Sequence, residues 1–427
     1  MTVARTHDVD MRVAMISMHT SPLDQPGSGD AGGMNVYVAR TAQLVAQAGA
    51  AVDVFTRATS SRQPESVAMG PGVTVHNLPA GPFAGLRKEE LPEQVCPFTS
   101  EVLRFALAKS DSPYDVVHSH YWLSGQAGWL TSQRWRVPLV HSMHTMAKVK
   151  NDNLAVGDRP EPLVRVVGEE QVVRAADRLI ANTADERFEL MRHYGAPGER
   201  VDVVHPGVDL ATFSPRDRDT ARRRTGFSAD RDIVVFVGRI QPLKAPDLLV
   251  RAVADLVARE PHRRERLQLV VCGGPSGAGV AHPEELLQLA GHLGVADLIT
   301  FLPPLAPTAL ADLYASADVV AVPSYSESFG LVALEAQACG VPVLAACVGG
   351  LRTAVSHRSS GVLVDGHEPH TWSKELADLL DRPRERSRLA AGARRHAQDF
   401  SWAATAAGTL AAYSEARAGR RVLQPIT

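Results

Sequence analysis

The chain has 427 residues, of which 45% are hydrophobic and 22% are charged. This composition is ordinary for a globular protein that buries a sizeable core, and the length favours two domains over one. The formal net charge is −2. There is thus no global positive field of the kind that nucleic-acid-binding proteins carry, and we expect no nucleic-acid partner.

The cysteines and the first residues favour a cytoplasmic protein. The four cysteines form no C-x-x-C pair, which argues for free thiols in a reducing compartment and against a zinc site or a disulfide framework. The opening residues, MTVARTHDVDM, lack the apolar segment of a signal peptide. The closest approach to a membrane span, residues 331–350, is interrupted by Glu335 and Pro342, so we expect no membrane insertion.

In the first half of the chain, short apolar runs alternate with helical patterns. A strand is predicted over residues 11–19 and an amphipathic helix over residues 33–49. Six further runs have the length and composition of strands: 51–56, 73–78, 115–120, 138–143, 178–183 and 201–205. Strands that alternate with helices favour a parallel, doubly wound sheet.

A stretch dense in charge and turn formers, residues 213–232, separates this half from the next. The alternation then restarts with predicted strands at 232–238, 267–274, 298–302, 317–323, 341–346 and 361–364. We therefore predict an α/β protein with two doubly wound domains, over residues 1–208 and 209–400. The pattern alone does not place the last predicted helix, in residues 401–427, and we expect that it returns to the first domain.

Two carboxylates mark the second half. Glu327 and Glu335 stand eight positions apart in SYSESFGLVALEAQACGVPVLA, residues 324–345. The first lies in a small-residue turn after a predicted buried strand, and the second lies in a helix pattern. In an open parallel sheet this arrangement aims the turn and the start of the helix at the crevice where ligands bind. Free backbone N–H groups and the helix dipole favour an anion there.

A second constellation lies in GRIQPLK, in the loop after the strand predicted at residues 232–238. Arg239 offers a guanidinium fork and Lys244 a mobile ammonium group, a pair that suits a diphosphate. Charges in loops are often simply solvated. If this loop and the SYSESFG turn share one cleft, a glutamate there can accept hydrogen bonds from ribose or sugar hydroxyls. The combination predicts a nucleotide-sugar site.

The glycine-rich loop before the first predicted helix has two interpretations. Gly27, Gly29 and Gly32 spell G-x-G-x-x-G, and Asp53 follows about 20 residues later, as in dinucleotide-binding dehydrogenases. That fingerprint needs its first glycine directly after the strand, whereas residues 20–26, with two prolines, intervene here. We favour a flexible loop whose N–H groups bind a phosphate or a sugar, with a plain structural turn as the alternative.

The motifs G-R-x-x-P-x-K, E-S-F-G-L-V-x-x-E-A and G-x-P-V together resemble the retaining GT-B glycosyltransferases, which have two Rossmann-like domains facing a central cleft. GSGDAGGMNVYV, DVVHSHYWLSGQAGWL, HSMHTMAKVKN, RLIANT, HPGVDL and VGRIQPLKAPD are more narrowly similar to the inositol-phosphate N-acetylglucosaminyltransferases that open mycothiol biosynthesis in actinobacteria. The similarity runs from Arg12 to the end of the last domain. It implies transfer of N-acetylglucosamine from UDP-GlcNAc to 1D-myo-inositol 3-phosphate, with release of UDP.

The resemblance also implies roles for individual residues. The donor UDP-GlcNAc would be bound by residues of both halves: His19, Gln25, Pro26, Gly33, Arg239, Lys244, Glu327 and Glu335. Within that set, Glu335 would take the ribose hydroxyls and Glu327 would lie near the sugar. The inositol phosphate would be bound by the glycine-rich loop and a group of polar residues: Asp30, Ala31, Gly32, Gly33, Met34, Asn35, Lys88, Tyr121, Thr145 and Arg165. The residues implied in catalysis are Arg239, Lys244, Glu327 and His144.

A magnesium ion and a homodimer are implied by the same resemblance. The metal ligands of the family are largely main-chain groups, which correspond here to Tyr314, Ala315 and Ala317. The usual threonine of the family's A-x-G-T-P motif is replaced by Val341, whose side chain offers no metal ligand.

Taken singly, several of these residues have simpler explanations. Lys88 and Arg165 are typical of solvated surface charges, and Tyr121 is typical of a half-buried aromatic side chain. Four histidines in or just after predicted strands are typical of structural imidazoles: His118, His120, His141 and His144.

Three other functions share parts of the pattern. A nucleotide-sugar epimerase on the same two-domain fold would bind UDP-GlcNAc but needs no cationic acceptor site. A nucleotide-dependent binding module would bind UDP tightly without turnover. Among transferases, the nearest alternative uses a hexose phosphate as the acceptor, as sucrose-phosphate synthases do.

Overall fold

The computed structural model describes residues 11–27, 29–107, 114–154, 159–274 and 283–423. Eight of the described strands form the first sheet: β1 Arg12–Ile16, β2 Ala51–Arg57, β3 Ser66–Gly70, β4 Val73–Leu78, β5 Val116–His120, β6 Leu139–Ser142, β7 Arg178–Ala181 and β8 Val201–Val203. Six form the second sheet: β9 Asp232–Val237, β10 Leu267–Cys272, β11 Ile299–Leu302, β12 Val319–Val322, β13 Val343–Ala346 and β14 Gly361–Val364.

Helices follow most of the strands. Those in the first half are α1 Gly33–Gln47, α2 Val95–Leu107, α3 Trp122–Trp135, α4 Ala147–Asp152, α5 Leu163–Ala175 and α6 Ala184–Tyr194. Those in the second half are α7 Arg218–Thr225, α8 Pro246–Arg259, α9 Pro283–His292, α10 Pro307–Ser316, α11 Leu331–Ala338, α12 Leu351–Ala354, α13 Pro369–Asp381 and α14 Pro383–Gln398. A long helix, α15 Trp402–Leu423, ends the described chain.

The second sheet is parallel throughout, in the order β11-β10-β9-β12-β13-β14. The chain moves outward from β9 to β11 and then returns to the other side of β9, so the order reverses between β9 and β12. Ligands of open α/β sheets bind at such a reversal, beyond the carboxyl ends of the strands. The loops after β9 and β12 carry GRIQPLK and SYSESFG, so the fold brings the two predicted motifs to this crevice.

The first sheet has the order β3-β4-β2-β1-β5-β6-β7-β8, with its own reversal between β1 and β5. Every neighbouring pair is parallel except β3 and β4, which are antiparallel. The first sheet is thus parallel as predicted, apart from one antiparallel strand at its edge. Strand β3 was not predicted because its sequence, SVAMG, is short and only partly buried. An edge strand of this kind lacks the apolar run that marks the central strands.

The first sheet buries both of its faces. In β1, Val13 and Met15 pack into one core, and Ala14 and Ile16 pack into another on the opposite face. Alternate side chains of a strand point to opposite faces, so a strand with two covered faces is apolar at every position. This is the reason that the central strands could be recognised in the sequence as continuous apolar runs.

Helix α15 packs against α1 and against the β6–β8 side of the first sheet. The Tyr413 hydroxyl lies 2.7 Å from Nδ1 of His118, and Arg417 forms an ion pair with Asp115 at 3.0 Å. Near the start of the helix, the N–H of Val208 donates to the carbonyl of Phe400. The end of the chain thus returns to the first sheet, while the domain limits 1–208 and 209–400 stay a prediction. No helix in the described ranges combines the length and apolar character that a bilayer span requires.

Candidate functional site

A cavity of about 920 Å³ lies between the two halves of the chain and is lined by residues of both. It gathers most of the predicted site residues: His19, Gln25, Pro26, Asp30, Gly32, Gly33, Met34, Asn35, Lys88, Tyr121, His144, Thr145, Arg165, Arg239, Lys244, Glu327 and Glu335. Ala31 instead borders a smaller adjoining cavity of about 370 Å³. The fold therefore brings the two predicted motifs of the second half and the glycine-rich loop of the first half to one space.

The glycine-rich loop is held in place by Asn35 in the first turn of α1. The Asn35 Oδ1 accepts from the N–H of Gly32 at 2.9 Å, and its Nδ2 donates to Thr20 Oγ1 and to the Ser21 carbonyl, both at 2.6 Å. Asn35 is almost completely buried. It therefore acts as the anchor of the loop, while it also lines the cavity.

The start of α1 faces the start of α11 across the cavity. A Cβ atom added at Gly33 would lie 3.4 Å from Leu331 Cδ1, and one added at Gly32 would lie 3.8 Å from Arg239 Nε. The glycines thus let the two halves approach closely. Backbone N–H groups at two helix N-termini then face the same space, which favours an anionic ligand between them.

The predicted diphosphate-binding cation and one of the two glutamates form a direct ion pair. The Lys244 Nζ lies 2.5 Å from Glu327 Oε2, and each side chain is about one-fifth exposed, at 21% and 19%. The Ser324 hydroxyl also approaches Glu327 Oε2, at 3.4 Å. Arg239 lies at the junction of the halves, with its Nη1 3.9 Å from Asp30 Oδ1. Lys244 and Arg239 thus place two positive groups beside the start of α11.

Glu335 lies one turn into α11 in a different environment. Its Oε2 accepts from the Tyr314 hydroxyl at 2.9 Å. Burial disfavours the charged form of the carboxyl group and raises its pKa to about 7, although the Tyr314 hydrogen bond acts in the opposite direction. The two glutamates of the motif are therefore distinct, since one is paired with a cation and the other titrates near neutrality.

His144 lies on the first-half side of the cavity with an unusual backbone, at φ +60°. Its Nε2 lies 3.0 Å from Nδ1 of His120, and its ring packs edge-on against Tyr37. Burial lowers the pKa of His144 to about 3. The imidazole is neutral at pH 7, so His144 can act as a hydrogen-bonding group but not as a cation. His19, which packs against Tyr121, has its pKa lowered to about 3 by burial and by Lys88.

The predicted acceptor residues Tyr121, Thr145 and Arg165 form one cluster. The Arg165 Nη2 donates to Thr145 Oγ1 at 2.9 Å, and the guanidinium lies over the Tyr121 ring, 5.1 Å from its centre. Arg165 is almost fully buried, and its Nε donates to Glu169 Oε1 at 2.7 Å. Lys88 reaches the cavity from an exposed 3₁₀ segment, Lys88–Gln94, at its rim. Arg165 is therefore a fixed cation, and Lys88 is exposed to solvent.

Two contacts that organise the cavity were missed in the sequence. The Ser328 hydroxyl donates to the main-chain carbonyl of His144 and so links the SYSESFG turn to the first half. The N–H of Gly350 donates to the Glu327 carbonyl at 2.8 Å, and this hydrogen bond ties the same turn to the start of α12. A glycine pair shortly after a strand, as at Gly349 and Gly350, is the sequence feature that could have indicated a close approach of two backbones.

The residues predicted to bind magnesium do not line the central cavity. Tyr314, Ala315 and Ala317 are buried at the end of α10, and Val341 is buried as well. Main-chain carbonyls at the negative end of a helix are oxygen donors of the type that Mg²⁺ prefers. The Tyr314 carbonyl, however, already accepts from the N–H of Ala317. An ion held there would be bound apart from the cavity, and the described residues contain no cluster of three or more His, Cys, Asp and Glu side chains suited to a metal.

The structure also accounts for the G-x-G-x-x-G match. Strand β1 ends at Ile16, so Gly27 stands eleven positions beyond it, far from the tight turn that a dinucleotide site needs. Asp53 is bonded to the Tyr114 hydroxyl at 2.6 Å and to His76 Nε2 at 2.8 Å, away from the loop. The dinucleotide interpretation is therefore not supported.

Comparison with known proteins indicates a glycosyltransferase in both halves of the chain. Residues 217–396 match the family model "Glycosyl transferases group 1", and residues 32–207 match "Glycosyl transferase 4-like domain". Among solved structures, a sucrose-phosphate synthase from Thermosynechococcus elongatus superposes with a TM-score of 0.87 at 30% identity, over 96% of this chain and 100% of that one. The Anabaena protein HepE in complex with UDP-glucose shares the fold, with a TM-score of 0.73 at 21% identity over 94% of this chain and 99% of that one.

The relatives found by sequence have a higher identity to this chain than these two solved structures have. A D-inositol 3-phosphate glycosyltransferase of Geodermatophilus obscurus is 60% identical over 408 residues, which cover 96% of this chain and 90% of that protein. One from Salinispora arenicola is 58% identical over 411 residues, with coverage of 95% and 92%. The α/β fold with two Rossmann-like domains is thereby confirmed as GT-B, and the chain is a UDP-sugar-dependent glycosyltransferase that belongs to the D-inositol 3-phosphate glycosyltransferase family.

Proposed function

We propose that the protein is a retaining transferase that moves N-acetylglucosamine from UDP-GlcNAc to 1D-myo-inositol 3-phosphate, releases UDP and so performs the first step of mycothiol biosynthesis. The observation that carries the proposal is the single cavity in which Lys244 and Glu327 of one half face Arg165 and Thr145 of the other. A transferase needs its donor and acceptor sites on a common space, because the two substrates must be in contact when the sugar moves.

The charges of the cavity suit departure of UDP. Cleavage of the bond between sugar and phosphate places negative charge on the leaving diphosphate. Arg239, Lys244 and the N–H groups at the start of α11 stabilise that charge as it develops. Because these groups are held by the fold before the reaction, they need little reorganisation during it.

The environment of Glu327 favours a positioning role over that of a covalent nucleophile. Its carboxylate is engaged by Lys244 and by Ser324. In the front-face route that the family resemblance implies, a phosphate oxygen of the donor takes the proton of the acceptor hydroxyl, and the new bond forms on the face from which UDP leaves. His144, neutral and beside this space, contributes hydrogen bonds and no charge. This route requires no general base from the protein.

One assay tests the proposal directly. Release of UDP from UDP-GlcNAc is measured with inositol 3-phosphate, free inositol and fructose 6-phosphate in parallel, and without any acceptor. We expect turnover with inositol 3-phosphate and at least about tenfold lower kcat/KM with free inositol, because the cationic cluster is built for a phosphate. Preference for fructose 6-phosphate would favour a hexose phosphate acceptor. Conversion of UDP-GlcNAc without an acceptor would indicate an epimerase, and UDP binding without any turnover would indicate a binding module.

Donor binding should depend on pH through Glu335, which by the family resemblance accepts the ribose hydroxyls. Its pKa is raised to about 7, so the acceptor carboxylate is present above that pH and is lost by protonation as the pH falls below it. If the ionised form alone binds, we expect the Kd for UDP to rise about tenfold from about pH 8 to pH 6. Glu335→Gln cannot titrate, so its UDP affinity should be weaker at pH 8 and should vary with pH only through the terminal phosphate of UDP, whose second pKa is about 6. Calorimetric titrations that give parallel pH profiles for the two proteins would contradict this role.

The magnesium ion and the homodimer belong to the same proposal. Their support is the family resemblance, together with the main-chain oxygens at the end of α10 in the case of the ion. No step of the proposed reaction passes through the ion, because its predicted ligands lie outside the cavity.

A further inference from the structure

Helix α4 carries two lysines with different surroundings. Lys150 lines the central cavity together with Val149 and Asn153, at the spacing of one helix face. Lys148 lies outside the cavity, where its Nζ donates to the His193 carbonyl at 2.6 Å. The two lysines stand two residues apart but differ in their surroundings: Lys150 faces the cavity, and Lys148 links α4 to α6.

Lys150 is joined to Arg165 through one carboxylate. Glu161 accepts from the Lys150 ammonium with Oε1, and its Oε2 lies 2.8 Å from Arg165 Nη1. Burial opposes ionisation of Glu161, but Arg165 and Lys150 outweigh it and lower its pKa to about 2. Both cations line the cavity, and Glu161 is not among the residues that line it. The carboxylate thus fixes two positive groups side by side at the cavity wall.

The charge balance requires a further cation. Arg165 is paired with Glu169, whose side chain is fully buried, and with Glu161. With Lys88 added, the two positive and two negative charges of this region cancel. A phosphate monoester carries about −1.5 to −2 at pH 7, and a site with no net positive charge is a poor place for it. Lys150 makes the balance positive.

We propose that Lys150 binds the phosphate group of the acceptor alongside Arg165. This assignment rests on the proposed function, because it takes a phosphorylated acceptor in this part of the cavity as given. Glu161 holds the ammonium group beside the guanidinium, so the two form a preorganised clamp. A clamp of this kind contributes affinity for the phosphate and little to the transfer step, since the bond that breaks lies at the donor.

The kinetic test uses Lys150→Gln, which keeps a polar, slightly shorter side chain but removes its charge. We expect the KM for inositol 3-phosphate to rise about tenfold, with kcat and the KM for UDP-GlcNAc unchanged. Lys150→Arg should recover most of the affinity. Lys374→Gln, at an exposed position of α13 outside the cavity, is the control and should leave all three parameters at the wild-type values. An unchanged KM for the acceptor in Lys150→Gln overturns the assignment.

Inorganic phosphate gives a second measurement that does not depend on which acceptor is used. Calorimetry in the presence of UDP should show about tenfold weaker phosphate binding for Lys150→Gln than for the wild type or Lys374→Gln. If the wild type does not turn over inositol 3-phosphate but Lys150→Gln still loses phosphate affinity, the proposed function fails and the Lys150 assignment holds. If the wild type turns over and Lys150→Gln changes neither measurement, the assignment fails and the function holds.

Discussion

Replacing Lys244 by alanine should lower kcat/KM for UDP-GlcNAc about a hundredfold, measured as UDP release at saturating acceptor. One preorganised donor to developing negative charge is worth about 3 kcal/mol, which corresponds to a factor of about a hundred in rate. The substitution also leaves Glu327 without its cation, 2.5 Å from where the ammonium stood, so an uncompensated carboxylate then faces the diphosphate. Both changes act in the same direction.

The fold of this variant should survive, which makes the kinetic result interpretable. Both members of the ion pair line the cavity and are about one-fifth exposed, so the cost of removing the ammonium group lies between the roughly 0–1 kcal/mol of a surface pair and the roughly 3–5 kcal/mol of a buried one. The melting temperature should therefore fall by several degrees while the protein stays folded at the assay temperature. Lys374→Ala, at an exposed position of α13, is the matched control and should keep full activity. Wild-type rates in Lys244→Ala would contradict the role of this lysine in leaving-group stabilisation.

The sequence predicted the proposed donor side of the cavity more completely than the proposed acceptor side. Arg239, Lys244, Glu327 and Glu335 stand in loops and a helix that directly follow recognisable buried strands, and the position of such loops in a doubly wound sheet is fixed by topology. Their side chains therefore had to meet at the crevice once the strand order was known. The structure was needed only to show that the two glutamates have different environments, Glu327 beside Lys244 and Glu335 beside Tyr314.

The acceptor side depends on contacts between residues far apart in the chain. Arg165 pairs with Glu169 at a helical spacing that the sequence shows, but its contacts with Thr145 and the Tyr121 ring come from other elements and follow from no local pattern. The Ser328 contact with His144 joins positions 184 residues apart. Hydrophobic periodicity reports which face of an element is buried, but it carries no information on which polar groups of two domains meet.

Gly350→Ala should displace the SYSESFG turn and reduce kcat/KM about a hundredfold. At φ −62° and ψ −17° the backbone of Gly350 is right-handed helical, so alanine is allowed there and no conformational strain is added. The only obstacle to alanine at this position is the lack of space for its Cβ atom. A Cβ atom would stand 2.3 Å from Phe329 Cα and 2.4 Å from the Ser328 carbonyl oxygen, and these backbone atoms cannot rotate away. The turn must therefore move as a whole.

That movement acts on catalysis through two bonds of the turn. The N–H of Gly350 holds the Glu327 carbonyl at 2.8 Å, and the Ser328 hydroxyl bonds to the His144 carbonyl across the cavity. A shift of about 1 Å in groups that orient a substrate costs about a hundredfold in rate. Overpacking of this kind also destabilises a protein by about 1–3 kcal/mol, so the melting temperature should fall by several degrees while the protein stays folded at the assay temperature.

The matched control is Gly291→Ala, in helix α9, where an added Cβ meets no atom within 4 Å. Because alanine is favoured over glycine inside a helix by about 1 kcal/mol, this variant should be slightly more stable than the wild type and fully active. The comparison separates the effect of adding a methyl group from the effect of adding it where two backbones touch. If Gly350→Ala keeps the wild-type kcat and melting temperature, the turn tolerates the displacement. In that case the fixed position of the turn is not what aligns Glu327 with the first half of the chain across the cavity.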